Sequence, residues 1–359
     1  MRRLLLVVLV FLVVAFLVVA LAAPGARAAP GGGDPFQQEQ WALAKVGAPA
    51  AWPTATGAGA VIAVVDTGVD RDHPELRDVL TGGASWIDCG PEAAKPCLDS
   101  SKWDDRNGHG THVAGIAAAP LDGVGVVGVA PGAQIMPIRV LGAAGTGDGD
   151  DVAAGVRWAA DHGADVVNLS LGGLPVVSQL VDGTGVDQAF ADAIAYAISK
   201  GVLVVAAAGN ESAPLCDDDS FRVANAVCVG ATDRRDLKAW FGNFGGGTGG
   251  AADRPGLDVV APGGLGSVLC DDPEDVLSTY AISEDTVCTR RVGYETLAGT
   301  SMAAPHVSGI GALLAQLGTK GTDAAQRILA TADDLGTPGW DPVFGYGRVN
   351  AERAVTATG

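Results

Sequence analysis

Aromatic side chains are scarce in this 359-residue chain, at 5%, and basic ones are few: 23 Lys and Arg stand against 41 Asp and Glu. The formal charge of −18 excludes a nucleic-acid partner, which would need a basic face to meet phosphates. It suits a soluble acidic surface and acidic loops able to hold divalent cations. None of the six cysteines forms a C-x-x-C pair, so structural zinc is excluded too. No internal repeat or low-complexity block appears, and the C-terminal end carries no membrane-spanning run. With so few rings, the core must come from small and aliphatic residues. The chain is 48% hydrophobic and has 52 glycines, which favours helices packed closely on a sheet with many tight turns.

The long apolar run lies at the start. Arg2 and Arg3 precede unbroken apolar sequence from Leu4 to Ala23, and Ala26-Arg27-Ala28 offers a small-x-small cleavage site. Residues 1–28 read as a signal peptide or, since the run is long enough to cross a bilayer, an N-terminal membrane anchor. The rest is then secreted, or anchored facing outside, and touches membrane only through this segment. Six cysteines in an exported chain read as disulfides, in three local pairs: Cys89–Cys97, Cys216–Cys228 and Cys270–Cys288. Residues 29–40, rich in Gly, Pro and Gln, read as a linker, and 41–359 as one domain.

Within that domain, Val61 to Val65 is a β-branched run ending in Asp66, the pattern of a strand buried on both faces. Ile135 to Val140, Val166 to Ser170, Val202 to Ala207, Val227 to Ala231 and Leu257 to Val260 read as further strands. Helices are expected from His109 to Ala119, from Asp150 and Asp151 as caps through Asp161, and from Asp187 to Lys200. Strand and helix alternate with short connections, so the fold class is α/β, a doubly wound, mostly parallel sheet flanked by helices. Ligands bind such sheets at the strands' carboxyl ends, where Asp66, Ser170 and Asn210 lie.

The helix from Val307 to Leu317 follows Gly299-Thr300-Ser301, placing Ser301 at or near a helix N-terminus. Pro305 is read in the first turn, where a missing N–H has no partner to lose. A serine there can attack a carbonyl while backbone donors hold the oxyanion. Three other stretches complete an acyl-transfer set: Val64-Val65-Asp66-Thr67-Gly68, Asn107-Gly108-His109-Gly110-Thr111-His112 and Ala207-Ala208-Gly209-Asn210. They offer a buried carboxylate, a base and an amide donor. His112 and His306 read as packed side chains, His73 and His162 as surface or loop residues, and Asp70 and Asp72 as solvated turn residues.

These four blocks, in the order Asp, His, Ser, resemble the signature blocks of the subtilisin-like serine proteases, from about residue 41 to 355. The resemblance implies Ser301 as nucleophile, His109 as general base, Asp66 as its orienting carboxylate and Asn210 as oxyanion donor. It implies substrate-pairing edges at Gly145-Thr146-Gly147 and Ser170-Leu171-Gly172, and a first-pocket wall from Ala206 through Ala207 and Ala208 to Gly209, with Glu211 at the rim. Gly149 falls where relatives carry a bulky residue, so the fourth pocket should be open. No cofactor is implied for catalysis. A structural calcium is implied at the loop Leu121 to Val126, with Glu75, Asp122, Val124 and Val126 as ligands. Partners would be protein or peptide substrates, met by a monomer. The segment from Ala28 to Trp41 is too short for a folded pro-domain, and insertions follow Gly173 and lie between Gly263 and Thr296. The blocks are partly similar to those of mycosins, although no C-terminal membrane helix follows. The leading expectation is an exported serine endopeptidase. The alternatives are a catalytically idle peptide-binding scaffold and a narrow-specificity processing protease.

Overall fold

Strand β1 (Val61–Asp66) shows why the sheet lies where it does. Ile62 and Val64 enter one apolar core, and Ala63 and Val65 enter another on the opposite face. A strand that is apolar on both faces belongs in the middle of a parallel sheet. The computed structural model, which describes residues 33–90, 95–172, 187–216, 225–245, 256–267, 271–282 and 291–357, places it there. Around β1 stand β2 (Ala84–Ser85), β3 (Gln134–Arg139), β4 (Val166–Leu169), β5 (Leu203–Ala207), β6 (Val227–Thr232) and β7 (Val259–Pro262). The order is β2-β3-β1-β4-β5-β6-β7, and every pair is parallel. In this register Val64 lies opposite Asn168, and Leu169 opposite Ala206. The carboxyl ends of β1, β4 and β5 therefore open on one edge.

Short helices α1 (Trp41–Lys45) and α2 (Ala48–Ala51) precede the sheet. One face is covered by α3 (His109–Ala118), α6 (Thr300–Gln316) and α7 (Gly321–Ala330), the other by α4 (Gly149–Asp161) and α5 (Gln188–Ser199). Helix α8 (Ala351–Thr356) ends the described chain, and the Ala351 N–H donates to Val46 O at 2.7 Å. Asp187 caps α5, its side chain accepting from Phe190 N. For α4 the cap is Asp148, which accepts from Asp150 N, and Asp150 and Asp151 fall in the first turn, where they still suit the helix dipole. Helix α6 starts at Thr300, seven residues before the apolar run that announced it. Pro305 is therefore its sixth residue rather than a first-turn residue, and a carbonyl one turn back loses its usual donor.

Residues 33–40, expected as a linker, are folded onto the domain. Phe36 N–H donates to Gly125 O at 2.8 Å, and the Gln40 side chain bonds both backbone groups of Val127. Strands β8 (Val276–Thr279) and β9 (Tyr294–Leu297) form an antiparallel pair within the segment read as an insertion. The Cys89–Cys97 and Cys216–Cys228 disulfides are formed as expected. The Cys270–Cys288 pair, the leader of residues 1–28 and the insertion after Gly173 lie outside the described residues. Among the described residues no helix is long and apolar enough to cross a membrane.

Candidate active site

Asp66 ends β1 and is fully buried, while His109 opens α3 beside it. His109 Nδ1 donates to the carboxylate, 2.8 Å from Oδ1 and 3.0 Å from Oδ2. Thr67 N–H also donates to Oδ1, at 2.7 Å. Burial disfavours the imidazolium, but the Asp66 charge, its hydrogen bond and the charge of Asp105 outweigh that, so the His109 pKa is raised above the ordinary 6.5. Glycine is required just before the histidine: Gly108 has φ 100°, and a side chain there would strike the Tyr280 ring. The helix start is held by buried Asp105. Its Oδ1 accepts from Asn107 and Gly108 N–H, and its Oδ2 from the Thr111 N–H and hydroxyl.

Ser301 and Asn210 meet through Thr300. The Thr300 N–H donates to Asn210 Oδ1 at 2.9 Å, and its hydroxyl donates to the same oxygen at 3.1 Å. With its acceptor held twice, Asn210 has its amide N–H groups left for another partner. A side chain added at Gly299 would begin 3.6 Å from Ser301 N and 3.7 Å from both Nδ2 and Oδ1 of Asn210, so the Ser301 N–H and the Asn210 amide lie close together. Ser301 Oγ donates to Ser170 O at 3.4 Å, a long hydrogen bond.

A cleft of about 280 Å³ opens at this edge. Of the expected site residues it brings together His109, Gly145, Thr146, Gly147, Ser170, Leu171 and Gly172, joined by Leu141 and Val152 on the apolar side. Ala207 and Gly209 do not line it: Ala207 is buried on β5, and Gly209 N–H donates to Thr300 Oγ1 at 3.1 Å. The family model described as the Subtilase family matches residues 57–347. The chain belongs to the subtilase family. This subtilase is 38% identical to "Thermitase" of Thermoactinomyces vulgaris over 321 residues, covering 89% of this chain and 97% of that one. It is 39% identical to "Subtilisin Savinase" of Lederbergia lenta, over 89% of this chain and 99% of that one. A solved structure, described by its title as one of the proteases from Pseudoalteromonas arctica, superposes with a TM-score of 0.74 at 31% identity, over 90% of this chain and 98% of that one. The fold is thus a subtilisin-like α/β fold, and the protein is a serine endopeptidase, a hydrolase acting on protein or peptide substrates.

The loop expected to hold calcium is closed by a residue that sequence reading assigned to the linker. Asp34 Oδ1 accepts from the N–H groups of Asp122 and Gly123. Glu75 Oε2 accepts from Val126 N–H at 3.3 Å and from the Tyr294 hydroxyl at 2.8 Å. Asp122 Oδ1 accepts from Val124 N–H at 3.2 Å. Asp34 Oδ2 and Glu75 Oε1 are buried without a partner. Burial pushes the Glu75 carboxyl up to about 8, against the opposing Tyr294 and Val126 bonds. Among the described residues no three metal-ligating side chains stand preassembled. Orphaned, buried carboxylate oxygens beside a glycine-containing loop nevertheless fit a hard cation by donor chemistry.

Two of the bland assignments change. His73 is buried rather than at the surface, accepting Glu75 N–H at Nδ1 and donating from Nε2 to Gly293 O at 2.8 Å. Asp70 is buried too, its Oδ2 accepting from Ile282 N–H at 2.9 Å, so it anchors a distant loop instead of facing water. His112 and His306 are packed as expected, and His162 stacks on Trp158 at the surface.

Proposed function

We propose that this subtilase cleaves peptide bonds through Ser301, His109 and Asp66, with Asn210 and the Ser301 N–H stabilising the oxyanion. Ser301 Oγ adds to the scissile carbonyl and its proton passes to His109 Nε2. The tetrahedral oxyanion lies between the Asn210 amide and the Ser301 N–H. Collapse expels the amine, which takes the proton from His109, and leaves an acyl-enzyme. Water, deprotonated by His109, then releases the acid. Asp66, through its bond to His109 Nδ1, fixes the tautomer that keeps Nε2 free. The observation that carries this reading is the Asp66–His109 pair on the same sheet edge as an asparagine whose acceptor is already consumed by Thr300.

Substrate would pair as a strand between Gly145-Thr146-Gly147 and Ser170-Leu171-Gly172, with Leu141, Val152 and Leu171 forming an apolar side pocket. Ala207 and Gly209, with Glu211 at the rim, would border the first pocket. Asp34, Glu75 and Asp122, with the carbonyls of Val124 and Val126, would hold calcium. The ion would supply the positive charge that the buried carboxylates lack. The leader and the two described disulfides support export, and the protein would act as a monomer.

A fluorophosphonate probe tests the mechanism. It should label the wild-type protein and fail to label Ser301→Ala. Asn210→Ala should lower turnover by about a hundredfold or more, the cost known for loss of this donor in subtilisin. A labelled Ser301→Ala protein, or an Asn210→Ala variant of undiminished turnover, would overturn the assignment. An unlabelled wild type would favour the idle scaffold.

A further inference from the structure

Helix α6 carries Ser301 at its second position and a proline four residues on. A mid-helix carbonyl normally receives the N–H of the residue four further along, and Pro305 has none to give. The Ser301 carbonyl takes its hydrogen bond from outside the helix instead: Ser170 Oγ donates to it at 2.8 Å. A serine hydroxyl has one proton. If Ser170 spends it on Ser301, its other polar neighbour has to approach as a donor. That neighbour is Asn168, whose Nδ2 donates to Ser170 Oγ at 2.9 Å. The amide can present its nitrogen to Ser170 only while its oxygen faces the other way. There the Ser308 hydroxyl donates to Asn168 Oδ1 at 2.8 Å. Asn168 and Ser308 have no exposure and Ser170 has 3%, so water does not compete for these bonds. Ser308 lies seven residues beyond Ser301, about two turns on, and so on the same face of α6.

We propose that Ser308 is a positioning residue for catalysis: its hydroxyl orients the Asn168 amide and so directs the Ser170 proton to the backbone carbonyl of the nucleophile. The proposal rests on Ser301 being the nucleophile. All three bonds have one sense, because the reversed amide would draw the Ser170 proton to Asn168 Oδ1. The Ser301 carbonyl would then lose the Ser170 donor, and the first turn of α6 would shift to find another. That turn holds the nucleophile. Ser170 is gripped from both sides, since its own carbonyl accepts from Ser301 Oγ and lies on the proposed substrate edge. Nothing in the four signature blocks points to Ser308, which bears on Ser301 only through two intermediaries.

The test compares Ser308→Ala, Ser170→Ala and the double variant in the full chain. Rates on an extended peptide are divided by the sites titrated with a fluorophosphonate. Removing one buried donor should lower kcat for Ser308→Ala about three- to tenfold, with KM within about twofold of wild type. Ser170→Ala should lose at least as much, and the double variant should be no slower than Ser170→Ala alone, because the relay's last member is already gone. Ser308→Cys, similar in size but a far weaker donor, should fall between wild type and Ser308→Ala, and it serves if the alanine variant does not fold. An unchanged kcat in Ser308→Cys or Ser308→Ala overturns the proposal. So does a Ser308→Ala loss that multiplies fully with that of Ser170→Ala, which would mark a general packing defect. A wild-type protein that cannot be titrated overturns the protease mechanism itself, and titratable protein with indifferent variants overturns only the relay.

Discussion

His109 owes its basicity to Asp66, and the pH profile should show it. A group whose folded pKa is raised remains protonated to higher pH, and a protonated imidazole cannot act as base. The acid limb of kcat/KM should therefore lie above 6.5 and fall as pH drops through it. Asp66→Asn removes the charge that raises the pKa, so the limb should move to lower pH while turnover drops by roughly 10⁴-fold, the loss this change causes in the same triad on an unrelated fold. A limb that stays in place in Asp66→Asn, read from initial rates between pH 5 and 9, would separate His109 from the titration. These residues were legible because their chemistry resides in short stretches. Asp34 and Ser308 were not: each takes its meaning from partners brought together by folding, as Asp34 does from Gly123 and Ser308 from Asn168. Asp70 was misread for the same reason, since its partner, Ile282, is far along the chain.

Two elements, a helix and a loop, each make a prediction. Helix α3 begins on the Asp105 carboxylate, which gathers four donors. Asp105→Ala leaves them without a partner and should cost about 2 kcal/mol or more of stability. A melting point equal to wild type would show that the cap is dispensable. The loop from Leu121 to Val126 is the second element. Calcium bound only to the folded protein raises its melting temperature. Melting curves in millimolar calcium should stand above those in chelator, and Asp34→Ala should narrow that gap. Identical curves for the wild-type protein would remove the ion from the account. At this scale strand and helix order followed from periodicity, and Ser301 stands at a helix start as expected, but the place of Pro305 within that helix did not follow. Pro305 stands in the helix interior because the residues around it pack in the core, whereas local sequence favours a proline in the first turn.

For the molecule as a whole, three histidines are buried neutral. Burial lowers the pKa of His73, takes His112 to about 3 and takes His306 to about 4. Each is protonated below about 6.5 once the chain unfolds. Their folded pKa values lie under the unfolded one, so the stability they contribute is present above that pH and is lost as pH falls toward the folded values. The melting temperature at pH 5 should thus be below that at pH 7.5, and His306→Gln, which cannot take up a proton, should reduce the difference. An unchanged difference in the variant would show that His306 does not contribute. The α/β class was readable from the alternation of elements, whereas the docking of residues 33–40 depends on backbone groups of Gly125 and Val127, far along the chain. Helix α6 is buried along nearly its whole length against β4, β5, β6 and β7, and it carries Ser301. This has a consequence in time. During synthesis Ser301, the proposed nucleophile, emerges after all seven strands of the main sheet, and so does the helix that packs against four of them. A fragment that stops short of Thr300 therefore lacks the proposed nucleophile and the helix that fills the core together, and it should show no peptidase activity.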